Sequence, residues 1–97
     1  MEGTLEPFQY SNGDVYEGEM DNGVRSGFGK MTYAADGCVY EGQWACGLHQ
    51  GTGTKSWADG IEYAGEWKGG VMHGEGKYVM EDGYVMEGRF DNDEYTG

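Results

Sequence analysis

Cys46, His49 and His73 are the side chains of this sequence best suited to chemistry, because a thiolate and two imidazoles are ligands that zinc accepts. All three fall where the chain is expected to turn, on one side. His73, however, directly precedes a Gly-x-Gly pair, while Cys46 and His49 stand out of register with that position, so no metal is expected. Asp91-Asn92-Asp93 opens like a calcium loop, yet Tyr95 stands where the next oxygen ligand belongs. The pairs Gly27/Gly29, Gly51/Gly53 and Gly74/Gly76 lack the strand-to-helix switch that a phosphate cradle needs. No Ser or Cys stands with a His and an acid in a credible triad, and the carboxylates belong to turns or to a solvated face. Neither a catalytic residue nor a cofactor is expected.

What remains is the chemistry of binding. Eight Tyr, three Trp, three Phe and six Met outnumber the aliphatics, and Leu, Ile, Val and Phe together fill only 12 of 97 positions. With twenty glycines and a net charge of −12, the composition taken without order is that of a disordered chain, and it cannot fill a layered core. Aromatic rings on a glycine-rich backbone point instead to β-structure. Eighteen acidic against six basic residues repel phosphate backbones and anionic headgroups alike, which speaks against nucleic acid and disfavours membrane lipid. No apolar run approaches the roughly 18 residues of a membrane span. Met1-Glu2-Gly3-Thr4 has neither a basic n-region nor a glycine at position 2. Cys38 and Cys46 would stand about 26 Å apart on an extended strand, far beyond the roughly 7 Å that a disulfide allows. A reducing, cytoplasmic compartment is the expectation.

Order rescues this composition. Tyr16, Tyr40, Tyr63 and Met86 align at intervals of 24, 23 and 23 residues, and around them one word recurs: Tyr16-Glu17-Gly18-Glu19-Met20, Tyr40-Glu41-Gly42-Gln43-Trp44, Tyr63-Ala64-Gly65-Glu66-Trp67, Met86-Glu87-Gly88-Arg89-Phe90. Gly23, Gly47, Gly70 and Asp93 follow three residues later, and the Gly-x-Gly pairs four after that. The apolar positions alternate with period two between turn residues, so each unit reads as a β-hairpin. Asp36-Gly37, Asp59-Gly60 and Asp82-Gly83 mark the turns between hairpins, the extra residue of the first interval being absorbed at Ala34-Ala35. The array divides into a half unit at 7–14, full units at 15–37, 38–60 and 61–83, and a partial unit at 84–97, about eight antiparallel strands in all.

Within a hairpin this reading sets Trp44 opposite Gly51, Gly42 opposite Gly53, Met20 opposite Gly27 and Trp67 opposite Gly74, each large side chain lying over a residue without one. The structural glycines are then Gly18, Gly27, Gly29, Gly42, Gly51, Gly53, Gly65, Gly74, Gly76 and Gly88. The product is an elongated single-layer sheet, stabilised between neighbours. Its second face is polar, with Glu17, Glu19, Lys30, Thr32, Glu41, Gln43, Thr54, Glu62, Glu66 and Lys77.

Tyr-Glu-Gly-x-Trp, a Gly turn, His-Gly-x-Gly and an Asp-Gly turn at a 23-residue period resemble the MORN repeat, the membrane occupation and recognition nexus, over about residues 7–97. The best copy runs from Tyr63 to Gly83; Met20 and Phe90 for Trp, Met86 for Tyr and Asp93 for Gly suggest weaker outer repeats. The resemblance implies stacked hairpins with an aromatic-lined groove, in a scaffold of cytoskeletal, ciliary or flagellar assemblies or an accessory module beside a catalytic domain. Tyr16, Met20, Tyr33, Tyr40, Trp44, Trp57, Tyr63, Trp67, Tyr78, Met86 and Phe90 are the groove candidates. Two readings stand for them: rings that pack only on each other and on glycine backbone, or an exposed strip that binds a protein segment. The strand near residues 84–90 is a second interface candidate, since an unpaired edge could accept another chain and make a homodimer through the partial unit. The leading expectation is a non-catalytic protein scaffold, with an anionic-phospholipid module as the alternative.

Overall fold

The structure is a computed structural model that describes residues 7–97. Nine strands and, among the described residues, no helix follow from the period-two pattern: β1 (Phe8–Gln9), β2 (Val15–Asp21), β3 (Val24–Thr32), β4 (Val39–Ala45), β5 (Leu48–Ser56), β6 (Glu62–Lys68), β7 (Val71–Val79), β8 (Val85–Asp91) and β9 (Glu94–Tyr95). They form one open antiparallel sheet in chain order. The ribbon measures 42 × 23 × 21 Å. It holds nine strands rather than about eight, because β9 returns on β8 at Phe90↔Tyr95 and Asp91↔Glu94. The β8 edge is therefore covered at that end, and Thr96 N–H donates to the Arg89 carbonyl at 2.8 Å beside it.

Two turn designs alternate along the ribbon. At the hairpin tips the central residues Asn22-Gly23, Cys46-Gly47, Gly69-Gly70 and Asn92-Asp93 all have positive φ, the two-residue turn whose twist suits a hairpin. Between hairpins, Asp36, Asp59 and Asp82 each accept the backbone N–H two residues on, at 3.1, 3.2 and 3.0 Å. The loop after β3 closes from Tyr33 N–H to the Cys38 carbonyl, one residue longer than the Trp57-to-Ile61 closure after β5.

The register differs from the sequence expectation at one recurring place. Gly42 does face Gly53, but Trp44 faces His49, Met20 faces Arg25 and Trp67 faces Met72. Gln43 alone spans Gln50, Gly51 and Thr52, a bulge of two extra residues that preserves which side each residue faces. Gly27, Gly51 and Gly74 occupy it with φ of 84°, 73° and 91°. Their large partners come from the following hairpin: Gly27 faces Trp44, Gly51 faces Trp67 and Gly74 faces Phe90. Each bulge leaves a backbone donor, and a side chain from the outgoing strand accepts it: Glu19 Oε1 from Phe28 N at 2.7 Å, Gln43 from Thr52 at 2.8 Å, Glu66 from Glu75 at 2.7 Å. These three belong to the face expected to be merely solvated, yet they hold the bulges closed.

Gly18, Gly29, Gly42, Gly53, Gly65, Gly76 and Gly88 face one another in succession and form a continuous row across β2 to β8. Over that row the single layer builds its core.

Candidate protein-binding surface

Tyr16, Tyr40 and Tyr63 lie down on the glycine row. A Cβ at Gly29, Gly53 or Gly76 would fall inside the tyrosine ring above it. Each hydroxyl donates to the carbonyl three residues on, of Glu19, Gln43 and Glu66, at 2.7, 2.8 and 2.9 Å. Trp44 and Trp67 stand edge-on between the tyrosines: centroid distances run 5.5, 5.0, 5.3 and 5.2 Å along Tyr16, Trp44, Tyr40, Trp67 and Tyr63, with rings near perpendicular. Such pairs contribute about 0.5–1.5 kcal/mol each beyond area burial. The indole N–H of each tryptophan donates to a carbonyl of the preceding hairpin, Gly29 and Gly53, at 3.0 Å. Phe90 ends the series against Tyr63 at 4.9 Å.

The return strand places Arg25, His49 and Met72 at one equivalent position of the three hairpins. His49 stacks flat on Tyr40 at 3.8 Å, with Trp44 and Trp67 at 4.8 and 4.9 Å on its flanks. Arg25 lays its guanidinium over Trp44 at 4.8 Å and donates to Tyr10 Oη and the Gly47 carbonyl at 2.9 and 2.8 Å. Met72 takes the same place in the third hairpin and is buried. Burial, with Lys55 and Arg25 nearby, lowers the His49 pKa to about 4, so its ring is neutral and shares a hydrogen bond of 2.8 Å with the Tyr33 hydroxyl. Burial likewise pushes the Tyr33 and Tyr63 hydroxyls up to about 12 and raises that of Tyr40.

Six of the eleven groove candidates, Tyr16, Tyr40, Trp44, Tyr63, Trp67 and Phe90, are thus interior, at most 5% exposed. They pack on each other and on glycine backbone, offer no contact area to a partner, and constitute the core. Met20 is exposed, and Tyr33, Trp57, Tyr78 and Met86 are half-buried. Of these, Tyr33, Trp57 and Tyr78 form a strip beside the core, with Trp57 and Tyr78 centroids 5.9 Å apart and the Lys55 ammonium 4.9 Å from Trp57 and 5.7 Å from Tyr33. A hollow of about 250 Å³ adjoins it, lined by Arg25, Tyr33, Leu48 and His49 among others. Sequence reasoning missed Tyr10, Arg25, His49 and Lys55 as parts of this surface. The only signal was position, since Arg25, His49, Met72 and Tyr95 recur at repeat spacing but share no chemical type.

The structure does not bring the metal candidates together. His49 is inside the ring stack, Cys46 is exposed at a hairpin tip, and His73 Nδ1 lies 3.4 Å from Asp91 Oδ1. Among the described residues no three His, Cys, Asp or Glu side chains form a metal-holding group.

A family model of the MORN repeat matches residues 16–38, 40–62 and 63–83. The chain belongs to the MORN-repeat family. These three copies are the three hairpins whose tyrosines lie on the glycine row. MORN repeat-containing protein 3 of Xenopus laevis is 44% identical over 45 residues, which is 46% of this chain and 19% of that protein. The chain thus matches about a fifth of that relative's length. Neither description names an enzyme, and both describe repeat proteins.

Proposed function

We propose that this MORN array is a non-catalytic protein-interaction scaffold, whose partner docks on the half-exposed strip of Tyr33, Lys55, Trp57 and Tyr78. The observation that carries the reading is the contrast between that strip and the sealed core beside it. The core fixes the rings, and a ring held half-exposed beside the half-buried Lys55 is the kind of anchor that interface centres use. Service in a cytoskeletal, ciliary or flagellar assembly rests on family analogy, and a reducing cytoplasmic compartment on Cys38 and Cys46, which are both free. A net charge of −12 favours protein over anionic phospholipid. The Glu87 carbonyl accepts from the Tyr95 hydroxyl and Gly88 lies against Gly97, so the stretch of β8 at Val85 and Met86 is the place for a second copy to add a strand.

The test is photo-crosslinking in cells from a reactive residue placed at Trp57, combined with detergent extraction. A discrete partner that is lost in Tyr33→Ser, Lys55→Ser and Tyr78→Ser variants supports the reading. Crosslinks unaffected by those substitutions in folded variants, or flotation with phosphoinositide vesicles that salt reverses, overturn it.

A further inference from the structure

The opposite, polar face carries one side chain that the fold does not need. Phe28 is 56% exposed, and it is the only aromatic residue of β2 to β8 on that face. The equivalent positions of the next two hairpins hold Thr52 and Glu75, which are polar. Phe28 forms a wall shared by two depressions. One, of about 410 Å³, is lined by Glu19, Gly27, Gln43, Gln50 and Gly51. The other, of about 380 Å³, is lined by Glu41, Gly42, Thr52, Thr54 and Gly65. A single ring thus stands between the carboxylates of Glu19 and Glu41. The cation nearest in the pairing is Lys30, which faces Glu17 on one side and Glu41 on the other, so the four groups together keep two negative charges.

We propose that this face binds an extended, arginine-bearing protein segment in the polyproline II conformation, laid along the ribbon with one arginine per repeat. A guanidinium is planar, stacks on an aromatic face and pairs with carboxylates, which is what Phe28, Glu19 and Glu41 together offer. The depression beside Gly27 recurs one hairpin later as a hollow of about 300 Å³ lined by Gln50, Gly51, Thr52, Glu66 and His73, with Lys68 also on its rim. The Phe28 site is therefore the primary anchor and the Glu66 hollow the weaker one.

Spacing selects the conformation of the partner. Each repeat advances two strands, about 9.6 Å. Three residues of polyproline II rise about 9.3 Å and return the side chain to the same face. A β-strand returns to the same face every 6.6 Å or so, which misses the repeat. A helix matches at seven residues, about 10.5 Å, but it docks through an apolar stripe, and this face has a single ring. This surface is separate from the Tyr33–Trp57–Tyr78 strip and does not depend on it.

The test is a fluorescence anisotropy titration of the whole chain with labelled (Arg-Pro-Pro)4, compared with (Arg-Pro-Pro-Pro)4, which carries the same number of arginines out of step, and with (Glu-Pro-Pro)4. The first peptide is expected to bind about tenfold more tightly than the second, and the third not to bind. Phe28→Thr and the pair Glu19→Gln with Glu41→Gln each weaken binding of the first about tenfold. These substitutions keep the fold, because Thr52 and Gln43 already occupy the positions equivalent to Phe28 and Glu19, and Gln43 still accepts its bulge N–H. Unchanged unfolding midpoints confirm it. Trp57→Ser leaves the affinity as it was. Equal affinity for the two arginine peptides, no binding of either, or loss on Trp57→Ser but not on Phe28→Thr overturns the proposal.

Discussion

The middle of the ribbon and its two ends are built from the same word and differ in what each word has to close. In the middle, Trp44 and Trp67 each stand on a glycine of the preceding hairpin and donate to its backbone, so every repeat completes the one before it. At the start, Met20 holds the tryptophan position. β1 pairs with β2 only at Phe8↔Tyr16 and Gln9↔Val15, so no glycine of an earlier described strand lies beneath Met20, and it stays 37% exposed. At the far end Phe90 still covers the third hairpin, facing Gly74 and touching Tyr63, but Met86 replaces the tyrosine and Arg89 replaces the bulge acceptor. The array has a direction: its tryptophans serve the past repeat and its tyrosines the present one.

That directionality is broken most severely at the glycine row. Gly53→Ala puts a methyl group inside the Tyr40 ring, and the ring is held by its hydroxyl bond and by His49 above it, so it cannot retreat. A loss of about 3 kcal/mol or more in urea unfolding is expected. Gly60→Ala, at a turn with φ of 99° and open space around it, costs only the backbone strain, about 1–2 kcal/mol. Similar losses at the two sites would mean that the tyrosine is not pinned.

His49 and Met72 occupy equivalent places, and only one of them titrates. The His49 pKa falls from 6.5 unfolded to about 4 folded, so the unfolded chain binds the proton first as pH drops. Its contribution is complete above pH 6.5 and is lost through pH 4 at about 1.4 kcal/mol per unit, roughly 3 kcal/mol in all. Carboxylates titrate over the same range, so the check is the difference in stability between the protein and a His49→Met variant measured from pH 7.5 to 4. A difference independent of pH would show that the imidazole is not buried neutral.

Much of this was legible in the sequence. Alternation and turn residues gave the hairpins, and the aromatic-on-glycine principle was sound. The glycine partners of the large side chains were misassigned by one repeat, because a two-residue bulge leaves the inside-outside alternation untouched and so leaves no mark in the pattern. Arg25, His49 and Met72 do the same work with a cation, an imidazole and a thioether, and a repeat position without a shared chemical type is silent to inspection. The six buried rings read equally as groove or core, since a single layer can seal its own face only if the next hairpin and the return strand both supply covers. That depends on register.

Replacing Trp67 by Phe tests the middle against the end more gently. The change makes the third repeat resemble the fourth, where Phe90 packs on Tyr63 without an indole N–H. It removes the donor to the Gly53 carbonyl and should cost about 1 kcal/mol of stability by urea unfolding. A loss as large as that of Trp67→Ala, about 3–5 kcal/mol, would mean that the bond rather than the ring joins the hairpins.

The smallest effect is expected at the bulges. Glu66→Ala leaves Glu75 N–H without its acceptor, but this backbone is exposed and water can replace the carboxylate, so the loss is about 0.5–1 kcal/mol. Glu66→Gln should be neutral, since Gln43 makes the same bond in the second hairpin. Chemical denaturation of the two variants separates geometry from charge. If glutamine is as costly as alanine, the carboxylate acts through its charge, and the Gln43 bulge must be the weaker of the two. If both are neutral, the glycine's positive φ alone holds the bulge, and the acceptor beside it is free to vary as it does among Glu19, Gln43 and Glu66.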